Sequence, residues 1–185
     1  KTPVSIQKIR FYILVMLLQW SGAVAAWIVM PADRIWQFNA PVAGFPGFSF
    51  VMMVLLVYFL LTFFLPIVLL FAGYKPFIES VSETYLKRSH LHPLERKERW
   101  VFTWLAVSVG ICEEVVFRSF FVHYFQSLSF EWPWTVSFLL AALLFGLLHY
   151  HQGYTGIWNA FMVGVVFSYL FIASGSLFIP IVLHI

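Results

Sequence analysis

Residues 101–125 read VFTWLAVSVGICEEVVFRSFFVHYF, an apolar run that carries Glu113, Glu114 and Arg118 near its middle. An ionised side chain at the centre of a membrane helix costs at least ~2.5 to 3.5 kcal/mol on insertion scales. Three such residues within six positions therefore indicate that they have a functional role. Because intramembrane ionisable groups usually mark functional sites, the run favours chemistry over simple packing.

The composition of the chain predicts an integral membrane protein. Hydrophobic residues make up 62% of the 185 residues and charged residues 10%, whereas an ordinary soluble domain has roughly 25% charged residues. Each crossing needs about 20 apolar residues, so this length suits one compact helical bundle. Cys112 is the only cysteine, which excludes an internal disulfide and a zinc cluster built from cysteines.

Apolar segments divide the chain into predicted spans. Between the second and third segments, residues 74–99 are strongly polar and predict a loop or a surface helix at the headgroups. We therefore expect an all-α polytopic bundle that forms a single membrane domain over 1–185, with two spans in 1–73 and the buried charges in the core at 100–185. The six segments cover residues 11–30, 48–72, 101–125, 134–150, 157–173 and the run that starts near 177.

Lysine and arginine residues are distributed unevenly around the first two spans. Only Arg34 lies in the connection over 31–47, and Arg118 is intramembrane. The positive-inside rule places the N-terminus and the 74–99 segment in the cytoplasm and the 31–47 loop outside. We expect a bacterial cytoplasmic membrane protein, and no nucleic-acid partner, because the charges mark topology. The nine residues on the cytoplasmic side are Lys1, Lys8, Arg10, Lys75, Lys87, Arg88, Arg96, Lys97 and Arg99.

The buried charges predict a division of labour between the two carboxylates. On an α-helix Glu114 and Arg118 are i and i+4, so they share a face and form an ion pair. Glu113 points about 100° away and is the better candidate for a free base. Charge-stabilising partners come from His149 and His184 on later segments. Antiparallel spans are expected to bring Glu113 and His149 together in the cytoplasmic half, with His184 nearer the midplane.

Plainer interpretations of these residues remain open. The three charges of the third segment are alternatively a buried ion network that only fixes helix packing. A histidine at a span end, such as His149, often simply meets the interface, and we expect this of His123 and His151. Asn159 is expected to bond across helices as a packing residue.

Three motifs in order give the chain a family resemblance. They are EEVVFR at 113–118, FGLLH at 145–149 and GSLFIPIVLH at 175–184. Together they resemble the three motifs of the CAAX protease and bacteriocin-processing family, whose members are polytopic membrane endopeptidases. The resemblance covers about residues 100–185, and the first two spans add nothing specific to it.

The resemblance implies roles for individual residues. It implies that Glu113, assisted by His149, activates a water molecule for attack on a peptide carbonyl, and that Glu114 and Arg118 support the site. It assigns His184 to oxyanion stabilisation, together with an Asn or Asp four residues later that the sequence given does not reach. The implied substrate is a membrane-associated peptide or protein, with a lipidated one as an option.

A second interpretation remains open for the cofactor and for the function. Members of the family have also been described as metalloproteases, and Glu, His and His form a chemically reasonable zinc set. No His-Glu-x-x-His helix is present, so we favour a glutamate mechanism without a cofactor. The rival functions are a proton-coupled transporter and a peptide-binding immunity protein that use the same buried carboxylates.

Overall fold

The structure is a computed structural model that describes residues 4–37, 48–87, 92–128 and 133–185. In these ranges the predicted all-α class is confirmed, since the only β contact is an isolated bridge between Gln37 and Ser176. Lys1, Arg88 and residues 38–47 of the predicted outer loop lie outside the described residues. The α-helices are α1 (Val4–Val29), α2 (Ala32–Trp36), α3 (Phe48–Phe71), α4 (Lys75–Lys87), α5 (Arg96–Glu113), α6 (Val122–Ser127), α7 (Trp134–Leu148), α8 (Gly153–Ser174) and α9 (Phe178–His184).

Three described helices are long and apolar enough to cross a bilayer, and they make the chain an integral membrane protein. They cover Ser5–Val29, Arg96–Ser127 and Tyr150–Ser174. A fourth is added if Leu60–Phe71 and Lys75–Glu83, which are bent by 110° relative to each other, count as one broken span. The helix α4 occupies part of the predicted polar segment; the side of the membrane on which it lies stays a prediction.

The predicted count of six spans is not confirmed, because two of the apolar segments form short helices. Helix α7 has 15 residues, or ~22 Å at 1.5 Å per residue, against a hydrocarbon thickness of ~30 Å. Helix α9 has only 7 residues. Apolar composition alone does not reveal where a helix ends. Helix α7 ends at Leu148, where the chain turns through His149 into a 3₁₀ turn over Tyr150–Gln152.

The third predicted span is continuous but not α-helical throughout. Helix α5, a π-helical segment over Glu114–Phe121 and α6 form one rod of 32 residues. A π-helix bonds each residue to the fifth one along and is rare, so its turns are wider than those assumed for this run from the sequence. The wide turns begin at Glu114, directly after Glu113. Segments of this kind are frequently found at functional sites.

Helix α1 is fastened along the length of α5. At one end Lys8 Nζ donates a hydrogen bond to the carbonyl of His92 (2.9 Å), just before α5 begins. Further along, Trp20 Nε1 donates to Ser108 Oγ (3.1 Å). The start of α5 is itself capped, because Glu98 accepts hydrogen bonds from the backbone amides of Leu94 (2.7 Å) and Glu95 (3.2 Å). The register of α1 against α5 is therefore fixed.

Glycines allow α7 and α8 to pack closely. A Cβ built on Gly146 would lie 2.9 Å from the carbonyl oxygen of Ile157 and 2.9 Å from Cβ of Phe161. A Cβ on Gly164 would lie 3.1 Å from Cα of Ala142. Small residues that let helix backbones approach are the usual means of association in a bilayer. This contact holds the helix that carries His149 against its neighbour.

The short helix α9 is held at both ends. At its start the amide of Leu177 donates to the carbonyl of Trp36 (3.1 Å), beside the bridge between Gln37 and Ser176. At its end Gly110 provides space, since a Cβ there would lie 2.8 Å from Cγ1 of Ile185 and 3.6 Å from the carbonyl carbon of His184. The end of α9 therefore comes up directly against α5, close to the two carboxylates.

We predict that Gly146→Ala lowers the free energy of unfolding by about 1–3 kcal/mol, because the new methyl group meets backbone atoms of α8 that cannot move aside locally. The matched control is Gly22→Ala on α1, where the nearest atom lies at an ordinary 3.8 Å. That variant should be neutral or stabilised by up to ~1 kcal/mol. Unfolding of both variants by SDS in mixed micelles measures the difference, and equal effects would contradict the proposed close contact.

Candidate active site

The two adjacent carboxylates occupy the junction between α5 and the π-helical segment. Glu113 is the last residue of α5 and its side chain is 12% exposed, whereas the side chain of Glu114 is fully buried at 0%. The two side chains therefore differ in exposure. Only that of Glu113 is partly accessible.

Arg118 forms the predicted ion pair with Glu114, which is confirmed. Its Nε lies 3.1 Å from Glu114 Oε2, and the guanidinium carbon lies 4.4 Å from the centre of the Phe145 ring and 5.4 Å from that of Phe167. The two rings provide cation–π contacts. None of the three guanidinium nitrogens has a well-directed hydrogen bond to another described residue. Buried donors without an acceptor cost about 1–3 kcal/mol each, and the ion pair with Glu114 and the two ring contacts offset part of that cost.

His184 reaches both carboxylates from α9. Its Nδ1 lies 2.6 Å from Glu114 Oε1, and its Nε2 lies 3.7 Å from Glu113 Oε2. Because an ionised carboxylate can only accept, Nδ1 carries the proton and donates it to Glu114. The second distance is too long for a direct hydrogen bond, so an atom that bonds to both groups would have to lie to one side of the line between them. The structure thus brings Glu113, Glu114, Arg118 and His184 together.

His149 lies next to this cluster without touching the carboxylates. Its Nδ1 donates to the carbonyl of Phe145 (2.8 Å), and its ring centre is 4.6 Å from that of Phe145, which in turn lies 6.4 Å from the ring of His184. Within the described part of the chain, no hydrogen bond or ion pair joins His149 to Glu113. The predicted meeting of these two residues is therefore not a direct contact, and a link through water stays a prediction.

Two residues at the site were not singled out from the sequence. Gln19 on α1 donates through Nε2 to Glu113 Oε1 (3.1 Å). Gly110 on α5 provides the space in which the end of α9 sits. The sequence could have indicated Gln19, since this residue is an amide within the apolar run 11–30. It could not have indicated Gly110, because that contact depends on how α9 returns to α5.

The remaining candidates lie around the site. His123 Nδ1 donates to the carbonyl of Ser119 (2.9 Å) and its ring packs on Trp134, while His151 is exposed and stacks on His149 at 6.0 Å. Tyr58 donates to Asn159 Oδ1 (2.8 Å), so the predicted bond across helices is confirmed and joins α3 to α8.

The part of the chain that the structure describes contains no evident ligand set for the alternative zinc mechanism. No group of three or more histidine, cysteine, aspartate or glutamate side chains is placed there to hold a metal ion. Nδ1 of His184 donates to Glu114 and Nδ1 of His149 to a backbone carbonyl, a pattern that zinc-ligating histidines also show. The described side chains form no ready three-ligand set, and independence from a metal stays a prediction.

Comparison with known proteins bears on this same part of the chain. No curated protein and no solved structure matches it. The family described as Type II CAAX prenyl endopeptidase Rce1-like matches residues 95–185, which hold α5, the π-helical segment and α6–α9. That stretch contains Glu113, Glu114, Arg118, His149 and His184, and lacks α1 with Gln19. This match confirms, over residues 95–185, the resemblance to the CAAX protease and bacteriocin-processing family of membrane proteases.

Proposed function

We propose that the protein is an intramembrane endopeptidase that hydrolyses a peptide bond of a membrane-associated peptide or protein, with Glu113 as the base that activates water. The observation that carries the proposal is the contact of His184 with both carboxylates, at 2.6 and 3.7 Å, in the stretch that matches a family of endopeptidases. A lipidated substrate is one option, suggested by the family description.

The acid–base chemistry follows from the two oxygens of Glu113. Oε1 accepts a hydrogen bond from Gln19, and Oε2 faces His184 across a gap of 3.7 Å. A water molecule placed at Oε2 loses its proton to Glu113 as its oxygen attacks the carbonyl carbon of the scissile bond. The same carboxyl group then returns the proton to the departing amine. A positioned base of this kind contributes roughly 10²–10⁴ in rate.

The two histidines suit complementary tasks. His149 donates through Nδ1 to a backbone carbonyl, so Nε2 of the neutral ring is an acceptor that can hold a proton of the attacking water. His184 must carry a proton on Nε2 to stabilise the negative oxygen of the tetrahedral intermediate. Glu114, which accepts from Nδ1, then orients the ring and compensates its positive charge.

Glu114 and Arg118 support the site and do not react. Glu114 is fully buried and already engaged by Arg118 and His184, so it has no access to substrate. Its role in this proposal is to hold His184, and the role of Arg118 is to hold Glu114. The site is proposed to open toward the cytoplasmic half of the bilayer, on the side that the positive-inside rule assigns to the N-terminus.

Replacing the base is the first test. Glu113→Gln keeps the size of the side chain and removes the proton acceptor, so cleavage by the purified protein in liposomes should fall by at least ~10²-fold. Prenylated and unmodified reporter peptides, followed by mass spectrometry, measure the rate and the bond that is cut.

The matched control is Glu79→Gln, which makes the same change on an exposed residue of α4 and should leave the rate unchanged. Wild-type rates in Glu113→Gln would reject the proposed base. Proton or solute flux in sealed liposomes without any cleavage would favour the transporter.

We also propose that hydrolysis needs no metal. Zinc in the purified protein should be well below one atom per chain, and incubation with 1,10-phenanthroline should leave the cleavage rate within about twofold of the untreated rate, because the proposed proton transfers use only side chains. Elemental analysis and the chelator assay measure the two quantities. Loss of activity that one equivalent of zinc restores would overturn the metal-free mechanism.

A further inference from the structure

Helix α1 lies outside the stretch that matches the protease family, yet one of its side chains touches the proposed base. The family match begins at residue 95, whereas Gln19 is 94 positions before Glu113. Its Nε2 lies 3.1 Å from Glu113 Oε1. The resemblance assigns no role to this residue, and the contact raises the question of what an amide does there.

The chemistry of the two groups fixes the direction of the contact. An ionised carboxylate only accepts hydrogen bonds, whereas a glutamine amide can turn either its oxygen or its nitrogen toward a neighbour. Beside ionised Glu113 the nitrogen must therefore face the carboxylate and donate. Gln19 holds Oε1 of Glu113, whereas Oε2 faces His184 at 3.7 Å without a direct hydrogen bond, so the amide is the group that fixes the orientation of the carboxylate.

The helix that carries Gln19 is held firmly enough to position it. The next residue, Trp20, donates to buried Ser108 at 3.1 Å, one and a half turns before Glu113 on the same helix. Tyr12 is 2% exposed and packs edge-on against Phe102 with ring centres 5.4 Å apart. These contacts on either side of the amide limit its movement relative to α5.

We propose that Gln19 is a positioning residue for Glu113, so that α1 completes the active site that the family-matched stretch supplies only in part. The inference rests on the proposed hydrolysis by Glu113. The amide keeps Oε2 turned toward His184 and the water position between them. Rotation of the free carboxylate would otherwise let Oε2 leave that position.

A purely structural role for Gln19 makes a different prediction. Side-chain amides also join membrane helices through hydrogen bonds, and loss of one such bond lowers the stability of the fold by roughly 0.6 kcal/mol or more. A packing residue would then change the stability of the fold and leave the turnover of the folded fraction alone. A positioning residue changes kcat with little effect on KM, because the substrate need not contact it.

The test uses three variants of the full chain in liposomes. Gln19→Met keeps the shape and removes the donor, and should lower kcat roughly 10-fold with KM and the unfolding midpoint nearly unchanged. Gln19→Glu places a like charge beside Glu113 and should lower kcat further. Tyr58→Phe removes the bond between α3 and Asn159 of α8 and should lower the unfolding midpoint while leaving kcat of the folded protein unchanged.

A labelling experiment gives a readout that needs no cleavage. Dicyclohexylcarbodiimide modifies protonated carboxyl groups in apolar surroundings, and mass spectrometry locates the label. Without the donated hydrogen bond the carboxyl group of Glu113 is free to rotate toward the reagent, so Gln19→Met should label at Glu113 several-fold faster than the wild type. Tyr58→Phe should label at the wild-type rate.

The outcomes separate this inference from the proposed function. Unchanged kcat in Gln19→Met, or a fall in activity that only reflects a lowered unfolding midpoint, overturns the positioning role while hydrolysis stands. If the wild type cleaves no reporter, the proposed function fails and the labelling rates alone decide. Equal labelling of Glu113 in the wild type and Gln19→Met then overturns the inference.

Discussion

The negative charge of Glu114, fully buried between helices, is the constraint on which the arrangement of this site depends. An isolated carboxylate in an apolar interior costs several kcal/mol, and removing one partner of a buried pair typically costs about 3–5 kcal/mol. Glu114 is compensated from two directions, by Arg118 at 3.1 Å and by His184 at 2.6 Å. The first partner comes from the same helical rod and the second from α9. The position of α9 is therefore coupled to the burial of that charge.

Local geometry makes this compensation possible. The π-helical segment widens the turns directly after Glu113, and Gly110 leaves space for the end of α9. The balance of charge is also close, since two carboxylates and one guanidinium leave a single negative charge that protonated His184 would cancel. The arrangement suits the proposed hydrolase, because the cluster balances its charges around fully buried Glu114 and leaves Glu113 12% exposed.

The N-terminal part of the chain does more than anchor the protein. Helix α1 contacts α5 through Lys8, Trp20 and Gln19, and the last of these reaches Glu113 itself. Helix α2 holds the start of α9 through the carbonyl of Trp36. Two elements without any family motif thus set the position of both ends of the site. The motifs contain the groups proposed to react, whereas the surrounding helices set the orientation of those groups.

The sequence by itself determined the membrane class, the all-α fold and the candidates Glu113, Glu114, Arg118, His149 and His184, because composition and three ordered motifs are local properties of the chain. It also predicted the pair between Glu114 and Arg118, which are only four residues apart. The sequence did not determine the helix lengths, since apolar runs do not show where α7 and α9 end. Nor did it determine that His184, and not His149, is the histidine in contact with the carboxylates. That choice depends on tertiary packing, because residues 70 positions apart meet only where close helix contacts and a buried charge make their approach favourable.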